Sequence, residues 1–143
     1  MSLAPNLTAD DKQDISELLS RSSYALDMRI ENMLAECFAE DAQFTLKIGD
    51  ADLVGPFVNR DGIMQLMTGS FEEQTDQRRH VVSNVFFETS AVGDATVVSN
   101  LTLFGTEDGS IRLISAGVYR DDVVKRDGKW QLFRRHLDLD LPY

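Results

Sequence analysis

Residues 79–139 read RHVVSNVFFETSAVGDATVVSNLTLFGTEDGSIRLISAGVYRDDVVKRDGKWQLFRRHLDL, and this stretch decides the fold. It is rich in the β-branched and aromatic residues that suit a pleated surface. It is cut at Gly93-Asp94, Asp108-Gly109 and Asp127-Gly128, pairs that fit hairpin turns. The pattern predicts four strands over about residues 79–90, 94–106, 110–124 and 129–139, joined as a meander.

Upstream the period changes from two to that of a helix. Thr8-Ala9-Asp10-Asp11 has the form of a capping box. Behind it Ile15, Leu18, Leu19, Ser22, Ala25 and Leu26 recur as one helix face, which predicts a helix over about 9–26 ended by Asp27. A second short helix carries Ile30, Met33, Leu34, Cys37 and Phe38, and Glu40-Asp41 closes it. Residues 42–48 alternate as a strand, Gly49-Asp50 turns, and 51–54 returns. Pro56 and Asn59 introduce a third helix over about 59–72, with Ile63, Leu66, Met67 and Phe71 on its buried side, followed by a polar loop to Arg79. Three N-terminal helices and a long meander define an α+β domain spanning 1–143, its curved sheet wrapped around the helices.

The chain of 143 residues is 43% hydrophobic and 27% charged, which excludes a disordered or collagen-like chain. No apolar run reaches the roughly 20 residues that span a bilayer. The formal net charge of −10 opposes phosphate backbones and anionic membrane surfaces, so nucleic acid and membrane are not expected partners. Cys37 is alone, which leaves no internal disulfide and no thiolate zinc cluster. No basic segment followed by an apolar stretch opens the chain, and a reducing cytoplasm is the expected location.

Two histidines carry most of the chemical interest. His80 opens the first long strand and shares a face with Val82, Asn84, Phe86 and Glu88 at period two. His136 lies on the last strand with Trp130, Leu132, Arg134 and Asp138. Asp27 sits at the C-terminal, unfavourable end of the first helix dipole, where it is either an N-cap for the second helix or a functional carboxylate. Tyr24, three residues earlier, can share its face. A Tyr, an Asp and a His meeting in one pocket supply a donor, an orienting carboxylate and a proton acceptor. The chain has no Gly-rich phosphate loop, no G-x-S-x-G and no H-E-x-x-H, and His80, His136 and Asp138 lack the spacing of a dedicated metal site.

The order of Tyr24-Ala25-Leu26-Asp27, Cys37-Phe38-Ala39-Glu40-Asp41-Ala42-Gln43-Phe44, Arg79-His80-Val81-Val82-Ser83-Asn84-Val85, and Gly117-Val118-Tyr119-Arg120-Asp121 through Asp127-Gly128-Lys129-Trp130 resembles the SnoaL-like branch of the NTF2-like superfamily. The resemblance covers nearly the whole chain. It implies an NTF2-like cone: helices packed in a strongly curved mixed sheet, with a pocket at the open end. Dehydratase and dehydrochlorinase members pair an Asp after the first helix with a His on the first long strand, and the His removes a proton. Asp27 and His80 match those positions. Tyr24 lies near a pocket tyrosine of some members, and Asn84 matches a polar strand position.

The resemblance thus implies a lyase or isomerase, needing neither metal nor organic cofactor, that acts on a small apolar or aromatic substrate. Asp27 and His80 are its expected dyad, Tyr24 and Asn84 hold the substrate oxygen or leaving group, and Phe44, Met64, Met67 and Phe86 form apolar walls. The tail Trp130-Gln131-Leu132-Phe133-Arg134-Arg135-His136 also resembles β-subunits of ring-hydroxylating dioxygenases, which implies the alternative of a non-catalytic binding or assembly subunit. Apolar residues on both faces of the long strands, Val81 and Val85 beside Val82 and Phe86, predict a homodimer.

Overall fold

The structure is a computed structural model that describes residues 6–143; Met1–Pro5 of the expected 1–143 domain lie outside the described residues. Helices α1 (Ala9–Met28), α2 (Glu31–Cys37) and α3 (Asn59–Glu73) accompany strands β1 (Phe38–Ile48), β2 (Val54–Val58), β3 (Gln77–Glu88), β4 (Ala95–Glu107), β5 (Ser110–Arg126) and β6 (Lys129–Leu139). One six-stranded sheet runs in the order β2-β1-β6-β5-β4-β3. It is mixed, because β1 and β6 are parallel while the other neighbours are antiparallel.

The α1 start is the predicted capping box. The Asp11 N–H donates to Thr8 Oγ1 at 3.0 Å, and the Thr8 N–H donates to Asp11 Oδ2 at 3.2 Å. Asp11 also accepts from Trp130 Nε1 at 3.3 Å and Lys125 Nζ at 3.4 Å, so the same carboxylate ties the helix start to the β5–β6 hairpin. Ile15, Leu19 and Ala25 of α1, Leu34 of α2 and Ile63 of α3 pack on Leu101, Val123 and Leu132 of the sheet.

The strand pairs are not regular. One extra residue lies on β3 between Ser83 and Phe86, one on β5 between Leu113 and Ser115, and one on β6 between Leu132 and Arg134. Each bulge bends its strand and adds twist, and together they curve the sheet around the helices.

Several predicted boundaries move. Glu40 and Asp41 do not close α2; they lie in β1, which starts at Phe38, and Asp41 pairs outward with Arg126 at 2.7 Å. The return strand is 54–58 rather than 51–54, and it contains Pro56, which is tolerated because β2 is the sheet edge. β3 starts at Gln77, inside the segment predicted as loop. No described helix is long and apolar enough to cross a membrane.

Candidate active site

Asp27 and His80 meet where α1 ends over β3. Arg29 caps α1 in the left-handed region (φ 55°), which turns the chain sharply into α2. Asp27 therefore stays in the last helical turn with its carboxylate aimed at the sheet. The α2 N-cap is Ile30, which makes no side-chain cap bond, so the reading of Asp27 as that cap is overturned. Instead the His80 backbone N–H donates to Asp27 Oδ1 at 2.9 Å and Oδ2 at 3.1 Å. His80 Nδ1 lies 2.6 Å from Oδ1. An ionised carboxylate only accepts, so Nδ1 is the donor, and a neutral imidazole in this tautomer has its lone pair on Nε2. The dipole cost of a carboxylate at a helix C-terminus is offset by these charge-assisted bonds.

Two further contacts hold the two elements together. Gln77 Nε2 donates to the Asp27 carbonyl at 2.9 Å, and Arg29 Nη2 donates to the Asp76 carbonyl at 2.6 Å. Both ties run from the α1 end to the start of β3, N-terminal to His80 along that strand.

His80 lines a cavity of about 80 Å³ between α1, α3 and the concave sheet face. The volume exceeds what one water needs. Its walls are mainly apolar, with Phe38, Phe44, Leu66, Met67, Leu101 and Leu137 among them. Phe44, Met67 and His80 thus line one cavity, while Asp27 reaches it only through His80 and is not itself a lining residue.

Tyr24, Asn84, Phe86 and Met64 are not among the lining residues. Tyr24 is half exposed on the water side of α1, which buries Ser23, Ala25 and Asp27 instead. Asn84 sits in the β3 bulge at φ 56°, so the period-two face that begins at His80 breaks there. Beyond the bulge Phe87 packs inward and Phe86 is half exposed. Met64 packs on the core one turn before Met67.

The same effect on β6 hides a second site residue. Trp130 and Leu132 point inward, the bulge follows, and then Arg135 and Leu137 point inward while His136 faces away. His136 bonds Thr45 Oγ1 at 2.7 Å and Asp138 Oδ1 at 2.9 Å on that opposite face. Among the described residues no cluster of three or more His, Cys, Asp or Glu is placed to hold a metal ion.

Arg135 lines the cavity and is almost fully buried. Its Nε and Nη2 donate to Asp121 Oδ1 and Oδ2 at 2.9 and 3.2 Å, and its guanidinium lies 3.8 Å from the centre of the Tyr119 ring. Burial pushes the Asp121 carboxyl up, against the pull of Arg135. Burial likewise pushes the Tyr119 phenol up, so it stays a hydroxyl that can donate into the cavity it lines. Arg78 also lines the cavity, two residues before His80 on the same strand face. Period two extended backward from His80 points to it.

This architecture and cavity are those of a SnoaL-like domain, whose family model matches residues 7–136; the chain belongs to that family. It is 24% identical over 128 residues to the gamma-hexachlorocyclohexane dehydrochlorinase of Sphingobium indicum, covering 85% of this chain and 76% of that protein. Among solved structures it is similar to a Nostoc punctiforme protein of unknown function with a cystatin-like fold, at 26% identity and TM-score 0.75, covering 95% of this chain and 97% of that one. It is also similar to the β subunit of benzoate 1,2-dioxygenase from Burkholderia mallei, at 19% identity and TM-score 0.77, covering 93% of each chain. That likeness is one of fold. The α+β arrangement of three helices in a curved mixed sheet is the NTF2-like cone.

Proposed function

We propose that this protein is a cofactor-free lyase or isomerase in which His80 takes a proton from a carbon of a small apolar or aromatic substrate. The observation that carries the reading is the Asp27–His80 contact beside the apolar cavity. Asp27 fixes the tautomer and stabilises the imidazolium that forms, the part the carboxylate plays in a Ser-His-Asp arrangement. As Nε2 gains the proton, the C–H electron pair becomes a new C=C bond. A leaving group departs from the neighbouring carbon with its own pair, or the proton returns at another carbon. Arg135 and Tyr119 are the polar groups on the deep wall that face developing negative charge.

A non-catalytic assembly subunit requires only an apolar outer face. It gives no reason to hold a histidine against a nearly buried carboxylate at 2.6 Å. The preferred reading is tested by incubating the protein in D2O with γ-hexachlorocyclohexane and small cyclic ketones, following chloride release and carbon-bound deuterium. At least one compound is expected to react, and His80→Ala is expected to remove the reaction; an equal rate in that variant overturns the proposal.

We further propose a homodimer formed through the convex sheet face. Val81 and Val118 are exposed there at 46% and 39%, in rows shared with Ala116 and with Thr102, Asn100 and Ser83. Light scattering at micromolar concentration is expected to give about twice the 16.1 kDa of one chain; the single-chain mass contradicts it. The lone Cys37 is buried and free, in keeping with a reducing cytoplasm.

A further inference from the structure

We propose that Arg78 binds a carboxylate of the substrate, so that the ligand of this cavity is a small apolar ring or chain bearing one acid group. The inference rests on the cavity being the substrate site of the reading above.

Arg78 stands at the boundary of two spaces. One is the apolar cavity; the other is a polar vestibule lined by Ser70, Glu73, Gln74, Asp76, Glu107 and Arg112, among others. Its residue exposure is 9%, and that of Asp76 is 5%. Arg78 Nε donates to Asp76 Oδ1 and Oδ2 at 2.9 and 3.0 Å. This engages the inner nitrogen alone. The two terminal amino groups donate no hydrogen bond among the described residues, although the side chain lines both spaces. Neither terminal nitrogen is a buried atom without a partner, as Arg29 Nε and Ser99 Oγ are, so the outer fork is open to water and to a ligand from the two spaces. The fork matches the two oxygens of a carboxylate.

The place of Asp76 is built into the sheet. Arg78 pairs with Gly105 across β3 and β4, and a Cβ at Gly105 would overlap Asp76 Oδ2. The absence of a side chain there admits the carboxylate that orients Arg78.

Arg135 is the competing cation of the cavity, and two features favour Arg78. Arg135 spends Nε and Nη2 on Asp121, leaving one terminal amino group. It also lies on the deep wall, where taking a carboxylate out of water costs most. Arg78 borders the vestibule, so the acid end of a ligand keeps part of its hydration while the apolar body enters. Glu73 and Glu107 of the vestibule are exposed, and water and salt screen them. Arg112 lies 3.7 Å from Asp76 Oδ2 and adds positive charge at the rim.

The test is equilibrium binding of benzoate and of benzamide, its neutral isostere, by calorimetry to the full chain. The wild type is expected to bind benzoate about tenfold or more tightly than benzamide. Asp76→Asn/Arg78→Met, which leaves no unpaired buried charge, is expected to bind both alike, with benzamide affinity retained. Arg112→Ala is expected to keep the preference. Equal affinities in the wild type, or a preference retained in the double variant, overturn the inference. The measurement needs no turnover and is repeated in His80→Ala: a benzoate preference there stands even if the proton-transfer reading fails.

Discussion

Asp27 holds His80 from two directions, by its backbone N–H and by ring Nδ1. One carboxylate thus places the strand and selects the tautomer. The two residues act as a unit, and their substitutions are not independent. His80→Ala is expected to cost about 10²–10⁴-fold in turnover, the usual worth of general acid–base catalysis. Asp27→Asn presents an amide donor to Nδ1 and shifts the ring proton to Nε2, with a loss of similar order. The double variant is expected to be little slower than His80→Ala. Rates of the three variants with any accepted substrate check this, and multiplied losses contradict it.

Gly105 is expected to tolerate no side chain. Gly105→Ala brings its Cβ onto Asp76 and within 2.7 Å of Ile114 Cδ1. Either the buried carboxylate leaves Arg78 or β4 shifts from β3. Overpacking of this kind costs about 1–3 kcal/mol. A lowered urea midpoint with an unchanged slope is the expected result, together with weaker benzoate binding.

The acid limb of stability is expected to depend on Asp11. Its hydrogen bonds with Thr8 hold the carboxyl below its ordinary value of 3.8. A depressed folded-state value means that the stabilisation is present above the unfolded value and is lost as pH falls through the folded one. Asp11→Asn is expected to be less stable than wild type near neutrality and to lose less on acidification from about 3.8 downward. Denaturation followed across that range checks the sign; parallel curves contradict it.

The helix faces and hairpin turns were legible because their periods are local. Asp27, His80 and Met67 were legible because each precedes any irregularity on its element, and Phe44 because it lies past the β1 irregularity between Phe38 and Gln43, inside the regular alternation of residues 42–48. Phe86, Asn84 and Arg135 were not, and for one reason. A bulge inserts a residue without a sequence signature, and every side chain beyond it changes face. Phe87 and Arg135 thereby take the inward places that strict alternation gives to Phe86 and Arg134. Arg78 is a different case. It obeys the alternation from His80, but the sequence pattern starts β3 two residues late, because polar Gln77 resembles a loop residue.

The buried Arg135–Asp121 pair separates stability from function. Both groups are almost fully buried, and Asp121 accepts from two Arg135 nitrogens. Removing one partner leaves the other charge without compensation, so Asp121→Leu alone is expected to destabilise by about 3–5 kcal/mol. Asp121→Leu/Arg135→Met removes both charges and fills the space with apolar groups, which is often neutral or better for stability. The double variant is therefore expected to recover most of the lost stability. Its chemistry is expected not to recover. Arg135 lines the cavity and stacks on Tyr119, so under the proposed reaction its loss takes away the positive charge that would face the leaving group or developing oxyanion. A stable double variant that binds benzamide normally but turns over substrate about 10²-fold more slowly is the expected result. Full activity in that stable variant would assign the pair to the core alone and leave Asp27 and His80 to act without it.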